Sequence, residues 1–207
     1  MMRSLVVNSC LEPFKIEPLL KTIEKFSEFT TIQYGNLHVG YQVDKEIDAV
    51  VISGSEARIV NPSHRGMFKG TVSLIKHLDI PIFSICYGYQ LLCWSLGASV
   101  ASLAEPIIDK FEKVRIVEVD EIFAGFEKNQ MVPLAQSHYD YVLRESLDQA
   151  GLILLADSPS CEVEAIRHKN NPFYGVQFHP ELIRIQGQRH PEGYKIIENF
   201  YRNVVKR

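Results

Sequence analysis

The chain has 207 residues, of which 46% are hydrophobic and 23% are charged, and its formal net charge at pH 7 is −3. This balance is typical of a globular protein and argues against a disordered chain, which combines low hydrophobicity with high net charge. The mildly acidic charge argues against a nucleic-acid partner, and no apolar run reaches the ~20 residues that cross a membrane.

The first half of the chain alternates short apolar runs with amphipathic stretches. Strands are predicted over residues 4–8, 29–34, 48–53 and 81–85, and helices over residues 15–26, 66–78 and 88–96. Because strands that alternate with helices usually pair in parallel, this pattern predicts a parallel sheet with both faces covered.

The second half is richer in strand patterns. Strands are predicted over residues 113–119, 131–136, 151–156, 163–167 and 173–178, and Pro191 is placed to begin a closing helix over residues 192–206. We therefore predict one α/β domain over residues 1–207, with an open, mostly parallel central sheet flanked by helices and an antiparallel extension. At this length a single core can bury most of the apolar surface.

The N-terminus and the cysteines indicate the cellular compartment. The first 14 residues hold only a short apolar stretch, interrupted by Asn8 and Glu12. A secretory signal needs a longer one, so we predict a cytoplasmic protein. The four cysteines show neither the close pairing of a metal site nor a disulfide framework, and we predict no metal. One of them is still a candidate nucleophile.

Residues 81–96 (PIFSICYGYQLLCWSL) predict a strand that runs into Cys86 and continues directly as a helix. Such a bend lifts the side chain at its apex clear of the sheet, as in a nucleophile elbow. Gly88 leaves room where chain segments cross, and the helix dipole favours the thiolate of a cysteine at its N-terminus. The N–H of Tyr87 is free there to face an oxyanion. Alternatively, Cys86 is a small buried hydrophobic residue.

Residues 173–181 (FYGVQFHPE) predict a buried strand with His179 at its C-terminal end. Catalytic groups of open α/β sheets collect outside the carboxyl ends of the strands. Glu181 is close enough in sequence to orient the imidazole, and His179 would then serve as base and acid for Cys86. A lone histidine is more often a core or surface residue, but the elbow at Cys86 favours the catalytic interpretation.

Two further segments carry weaker signals. Residues 51–56 predict a strand that ends in a turn of small residues, which can aim a second N–H at the oxyanion, although any strand may end in glycine. Residues 135–142 (AQSHYDYV) place Ser137, His138 and Asp140 after a short strand, where they either line a pocket or form a solvated turn. From the residues alone, the solvated turn is favoured.

Three motifs together resemble the class I (triad-type) glutamine amidotransferase family. They are Ser-Ile-Cys-Tyr-Gly-Tyr-Gln at 84–90, Gly-Val-Gln-Phe-His-Pro-Glu at 175–181 and Ser-Gly-Ser at 53–55. The resemblance implies that Cys86 attacks the side-chain amide of L-glutamine, with His179 as base and acid and Glu181 orienting it. Hydrolysis of the resulting thioester would give glutamate and ammonia.

The resemblance also implies roles for residues around the triad. The oxyanion hole would be formed by Tyr87, Gly54 and Ser55, and the substrate would be held by Gln90, Gly88, Ser137, His138 and Tyr139. The most similar type within the family is the glutaminase subunit of GMP synthase, in which Asp140 would lie at the interface with a synthase partner. This chain has no Gly-rich phosphate loop, so no cofactor is expected in it. ATP and Mg²⁺ would be used by a separate synthase that activates XMP and takes up the ammonia.

Three positions depart from the family pattern. Ser55 replaces the second glycine of a Gly-Gly-Pro turn, Ser84 replaces a glycine, and residues 182–185 (LIRI) replace a His-Thr pair. A left-handed backbone at Ser55 would cost roughly 1–2 kcal/mol more than at glycine. Two alternatives therefore stay open: a stand-alone hydrolase of γ-glutamyl amides or peptides, and a catalytically silent regulatory homologue.

Overall fold

The computed structural model describes residues 2–205, which contain eleven strands and five α-helices. The strands are β1 (Arg3–Asn8), β2 (Glu28–Gln33), β3 (Ala49–Ile52), β4 (Ile82–Ile85), β5 (Val100–Ile116), β6 (Met131–Val142), β7 (Leu152–Asp157), β8 (Ala165–His168), β9 (Phe173–Val176), β10 (Arg184–Ile185) and β11 (Gln188–Arg189). The helices are α1 (Glu17–Ile23), α2 (Pro62–Met67), α3 (Lys69–His77), α4 (Tyr87–Ser95) and α5 (Glu192–Asn199). In this part of the chain, nine strands form one sheet in the order β2-β1-β3-β4-β9-β8-β7-β5-β6, and β10 pairs with β11.

One half of the sheet is parallel and consists of β2, β1, β3, β4 and β9. The strands β1, β3 and β4 are apolar and almost wholly buried, as parallel strands covered on both faces must be. The edge strand β2 carries exposed polar residues. Because these strands run in one direction, the segments that follow β3, β4 and β9 all emerge at one edge of the sheet, which we call the carboxyl rim.

The other half, β8, β7, β5 and β6, is antiparallel. Its longest pair, β5 and β6, has register shifts between Ser102 and Ile107 and between Ile107 and Lys110. The strand predicted over residues 113–119 is the end of β5, and the strand predicted over residues 131–136 is only the first half of β6. The predicted fold class, a mostly parallel sheet with helices and an antiparallel extension, is confirmed.

Helices cover both faces of the sheet. On one face, Ile196 and Phe200 pack with α1 over the central strands. On the other face, α3 and α4 contribute Leu74 and Leu91 to a second cluster. Successive residues of each central strand supply the two clusters in turn, because side chains alternate across a pleated strand.

Two helices differ from their predicted bounds. The helix predicted over residues 66–78 is divided at Phe68, a fully buried residue whose ring packs against those of Tyr34 and Tyr87. The closing helix ends at Asn199 and continues as a π-helical turn over Phe200–Val204. Residue 206 of that predicted helix lies outside the described residues. No helix within residues 2–205 is long and apolar enough to cross a membrane.

The hairpin of β10 and β11 is not predicted by the sequence patterns, because each of its strands has only two residues. Its turn residues, Gln186 and Gly187, have φ values of 49° and 81°, as a two-residue type I′ turn requires. The side chain of Gln186 donates a hydrogen bond to the carbonyl of Asp109 at 3.3 Å, so the hairpin lies beside β5.

Candidate active site

The predicted elbow is present between β4 and α4. Cys86 has φ 50° and ψ −111°, a region that costs a non-glycine residue roughly 1–3 kcal/mol. Its N–H donates to the carbonyl of Val176 at 2.8 Å, which ties the elbow to β9. A Cβ added to Gly88 would lie 2.7 Å from the carbonyl oxygens of Ile52 and Ser53, so only glycine fits where α4 crosses the end of β3. This packing accounts for Gly88; its predicted contact with substrate stays a prediction.

The imidazole of His179 lies beside the elbow. Its backbone N–H donates to the carbonyl of Ala135 at 2.8 Å, and its Nδ1 is 2.8 Å from Oε1 of Glu181. Gly54 gives an independent measure, because a Cβ built there would be 3.0 Å from Cε1 of His179 and 3.5 Å from Cβ of Cys86. Residues from three separate parts of the chain therefore meet at the carboxyl rim.

The charges of the triad favour a protonated imidazole. Burial lowers the pKa of His179, but the negative charge of Glu181 and that of a Cys86 thiolate outweigh it and raise the pKa well above its usual value. The side chains of Cys86 and His179 also hydrogen-bond to each other. A thiolate–imidazolium pair oriented by a carboxylate is the arrangement that an activated cysteine nucleophile needs.

Polar groups surround the sulfur of Cys86. Nε2 of Gln177 donates towards it at 3.7 Å, and the carbonyl oxygen of Ser137 lies 3.6 Å away. The amide of Gln90 donates to Oε1 of Gln177 at 3.0 Å and to the carbonyl of Asp140 at 2.6 Å. Gln90 thus supports the wall of the site. Sequence reasoning assigned no role to Gln177, although a glutamine in an otherwise apolar run was a usable signal.

Two backbone N–H groups are free beside the nucleophile. Within residues 2–205, neither the N–H of Ser55 nor that of Tyr87 donates a hydrogen bond to another group of the chain. The non-glycine residues with positive φ among those described are Cys86, Asp109, Asn129 and Gln186. Ser55 is therefore not in the left-handed region, and its replacement of a glycine carries no such strain.

The segment that follows Gln136 is strand and not a solvated turn, because β6 continues to Val142. His138 is buried, and its Nδ1 lies 3.1 Å from the carbonyl of Asp140. Burial lowers the pKa of His138 to about 4, so the ring is neutral at pH 7. Its Nε2 has no partner in the described part of the chain. Ser137 is half-buried next to the sulfur, and Tyr139 is 46% exposed.

Asp140 does not face outward, since it is 1% exposed. Its Oδ1 accepts hydrogen bonds from Nε of Arg58 at 2.9 Å and from the hydroxyl of Ser102 at 3.0 Å. The guanidinium of Arg58 also stacks on the ring of Tyr139, 4.9 Å from its centroid. The outward-facing groups are therefore Arg58 and Tyr139, and the interface role predicted for Asp140 is limited to holding Arg58 in place.

The four cysteines are free and buried. Among the described residues there is no group of three or more His, Cys, Asp or Glu side chains that could hold a metal ion. That this chain carries no metal stays a prediction.

A buried carboxyl group lies behind the site. Glu164 is 0% exposed, and both of its oxygens lie 2.9 Å from Nε2 of Gln136, while the hydroxyl of Ser158 donates to it at 2.8 Å. Its carbonyl accepts the N–H of Gln177 at 2.7 Å. Burial raises the pKa of Glu164 from 4.5 to about 7, although the hydrogen bonds from Gln136 and Ser158 oppose that rise.

The raised pKa of Glu164 predicts a loss of stability as the pH rises. Between pH 4.5 and 7 the folded chain binds this proton and the unfolded chain does not, so the free energy of unfolding falls through that window, by ~3 kcal/mol from this group. Glu164→Gln removes the titration, and we expect its free energy of unfolding in urea to fall less between pH 5 and pH 8. Glu145→Gln, at an exposed carboxylate, is the control; equal falls in Glu164→Gln and the unchanged chain would contradict the prediction.

Comparisons with known proteins agree with this site. A family model described as glutamine amidotransferase class-I matches residues 19–204. A subunit of the glutamine-hydrolyzing GMP synthase of Methanothermobacter thermautotrophicus is 38% identical over 132 residues, which are 63% of this chain and 64% of that protein. The corresponding subunit from Archaeoglobus fulgidus is 34% identical over 142 residues, which are 69% of this chain and 70% of that protein.

The fold has a close counterpart among solved structures. The crystal structure of a putative GMP synthase subunit from Thermoplasma acidophilum superposes with a TM-score of 0.79 at 25% identity, covering 97% of this chain and 92% of that chain. The match to the Methanothermobacter protein spans slightly less than two thirds of that relative's length, whereas the family model spans most of the present chain. From the extent of that match and the elbow, imidazole and carboxylate at the carboxyl rim, the chain belongs to the class-I glutamine amidotransferase family.

Proposed function

We propose that this chain is the glutamine-hydrolysing subunit of a GMP synthase and that Cys86, His179 and Glu181 are its catalytic triad. The observation that carries the proposal is the meeting of these three side chains at the carboxyl rim, with the 2.8 Å contact between His179 and Glu181. The names of the relatives support the assignment to GMP synthase.

In the first step, the sulfur of Cys86 attacks the side-chain carbonyl carbon of glutamine. The carbonyl oxygen becomes an oxyanion, and the free N–H groups of Ser55 and Tyr87 stabilise it. The imidazolium of His179 then gives its proton to the amide nitrogen, the C–N bond breaks, and ammonia leaves. A γ-glutamyl thioester remains on Cys86, and Glu181 has stabilised the charged imidazole up to the transfer.

In the second step, water attacks the thioester. The neutral imidazole of His179 takes a proton from that water, and a second tetrahedral oxyanion forms against the same two N–H groups. Collapse of this intermediate breaks the C–S bond, releases glutamate and returns the thiolate of Cys86 beside a protonated His179. One water is consumed for each glutamine converted to glutamate and ammonia.

The substrate side of the pocket is assigned to β6. We assign Ser137 and His138 to the α-amino and α-carboxyl groups of glutamine, with Tyr139 and Gln90 completing the wall. The unpartnered Nε2 of His138 supports this, because a buried imidazole nitrogen without a partner is costly unless a ligand meets it. His138 is neutral at pH 7, so it would contribute a hydrogen bond and no charge.

The ammonia passes to a separate synthase subunit. This part of the proposal rests on the names of the relatives, each of which is one subunit of a GMP synthase, and it includes ATP and Mg²⁺ acting on XMP in the partner. Arg58 and Tyr139, held by Asp140 beside the substrate wall, are the surface that we assign to the partner. A stand-alone γ-glutamyl hydrolase or a silent homologue is not favoured, since those relatives carry the name of a glutamine-hydrolysing synthase.

A transfer assay tests the proposal. The chain is mixed with the synthase subunit from its own organism, XMP, ATP, Mg²⁺ and glutamine that carries ¹⁵N in its amide. We expect ¹⁵N in the GMP formed, because the amide nitrogen reaches the partner as ammonia. The synthase with ammonium chloride and without this chain is the positive control. Unstimulated cleavage of γ-glutamyl peptides, with no label in GMP, would contradict the proposal and favour the stand-alone hydrolase.

A further inference from the structure

The peptide group between Gly54 and Ser55 carries one of the two proposed oxyanion donors, and side chains hold it from the opposite side. The carbonyl oxygen of Gly54 accepts a hydrogen bond from the hydroxyl of Ser53 at 3.0 Å and a second from the thiol of Cys10 at 3.5 Å. Two donors thus converge on a carbonyl that lies at the end of β3, outside the ladder of the sheet.

Both donors are themselves held in place. Ser53 is 2% exposed, and its oxygen accepts the N–H of Ser9 at 2.8 Å, so its own proton is left for Gly54. Cys10 is 7% exposed, and its backbone is anchored on both sides of the thiol. Its N–H donates to the side chain of Asn8 at 3.0 Å, and its carbonyl accepts from the side chain of Gln33 at 2.9 Å.

The thiol of Cys10 keeps its proton at neutral pH. Burial raises the pKa of Cys10 to about 11, although a hydrogen bond with Ser53 opposes the rise. A protonated thiol is a donor, if a weak one, whereas a thiolate would repel the carbonyl oxygen of Gly54. Cys10 is therefore suited to hold a carbonyl group and not to act as a second nucleophile.

The direction of the free N–H follows from peptide geometry. In a planar trans peptide, the C=O of one residue and the N–H of the next point in opposite directions. With the oxygen of Gly54 held towards Cys10, the N–H of Ser55 points away from Cys10, and within the described chain it meets no acceptor. Gly54 itself faces the nucleophile, because a Cβ built on it would lie 3.5 Å from Cβ of Cys86.

We infer that Ser53 and Cys10 are positioning residues that set the orientation of the Gly54–Ser55 peptide and so aim the Ser55 N–H at the oxyanion. The inference rests on the proposed function, because it needs an oxyanion at Cys86. Glycine at residue 54 gives this peptide wide rotational freedom, so its orientation depends on the two hydrogen bonds to its oxygen.

Kinetics of variants test the inference, in the complex with the synthase subunit. Ser53→Ala should lower kcat for glutamine hydrolysis at least about tenfold with little change in KM, since loss of a whole oxyanion donor costs about 10²–10³-fold. Cys10→Ala should lower kcat about threefold, because S–H is a weak donor, and Cys10→Ser should restore it. Cys161→Ala is the matched control, since it removes a buried thiol that donates to the carbonyl of Val163 at 3.4 Å, away from the triad.

Alkylation separates an effect on the oxyanion from damage to the nucleophile. Iodoacetamide reacts with a thiolate by displacement at a saturated carbon, and no oxyanion forms in that reaction. The rate of Cys86 alkylation in Ser53→Ala, followed by mass spectrometry, should stay within about twofold of that in the unchanged chain. An equal loss in alkylation and hydrolysis would overturn the inference, because the substitution would then have disturbed Cys86 or His179.

Two further outcomes would overturn it. One is an unchanged kcat in Ser53→Ala. The other is a crystal structure of the Ser53→Ala, Cys10→Ala double variant in which the Gly54 carbonyl keeps its direction. In either case Cys86 can still prove essential for glutamine hydrolysis, so the proposed function and this inference fail separately.

Discussion

Replacing Cys86 with alanine should abolish glutamine hydrolysis and leave the fold intact. The alanine has no nucleophile, and no other thiol can substitute for it: burial raises the pKa of Cys10 to about 11 and those of Cys93 and Cys161 further still. The backbone bonds that anchor the elbow, from the N–H of Cys86 to Val176 and from the N–H of Gln90 to Cys86, do not involve the thiol. We expect no glutamate above background and an unchanged circular dichroism spectrum.

The matched control is again Cys161→Ala, which removes a buried thiol outside the site and should keep full activity. Activity is measured as glutamate released from glutamine, with the synthase subunit present. A glutamine-mimicking electrophile should label the unchanged chain on Cys86 and leave Cys86→Ala unlabelled. Full glutamine turnover by Cys86→Ala would end the assignment of Cys86 as nucleophile and, with it, the proposed mechanism.

The elbow was predictable because its determinants are local. An apolar strand followed without a gap by a helix requires a sharp bend, and the glycine two residues later allows α4 to cross β3. The parallel half of the sheet was predictable for a related reason. Its strands are buried on both faces, so each appears in the sequence as a continuous apolar run bounded by polar residues.

The antiparallel half was predicted less well because its polar residues have partners far away in sequence. Asp140 is buried only because Arg58 and Ser102 satisfy its carboxylate, and nothing near residue 140 indicates that. The same holds for Glu164, whose partner Gln136 lies 28 residues away. A pattern of polarity alone therefore assigned residues 137–140 to a solvated turn, although they lie within β6.

One departure from the family pattern is compensated across the sheet. Ser84 is directly opposite Gly175 in the pairing of β4 and β9, and its hydroxyl donates to the carbonyl of Tyr174 at 3.1 Å. A Cβ on Gly175 would lie 2.9 Å from that hydroxyl oxygen and 2.6 Å from the ring of Tyr89. The serine is accommodated because its neighbour is a glycine, and this pairing of distant residues is visible only in the fold.

Replacing Glu181 with glutamine should have the second largest effect. The carboxylate accepts from Nδ1 of His179 at 2.8 Å, which leaves Nε2 for the sulfur and stabilises the imidazolium. An amide has a similar shape but no charge, and its NH₂ group can favour the wrong tautomer of the ring. By analogy with the same change in serine-protease triads, we expect kcat to fall about 10²–10⁴-fold with little change in KM.

A second measurement distinguishes this role from a purely structural one. Burial lowers the pKa of His179 and the charge of Glu181 is the first of the influences that raise it, so Glu181→Gln should shift the titration of that imidazole to lower pH, as followed by NMR. The chain offers a matched control in His190 and Glu192, which have the same spacing and a contact of 3.9 Å outside the triad. Glu192→Gln should retain activity and the titration of His179. A Glu181→Gln variant with normal kcat, or with an unshifted His179, would show that the carboxylate does not support the imidazolium, and the triad would then reduce to Cys86 and His179.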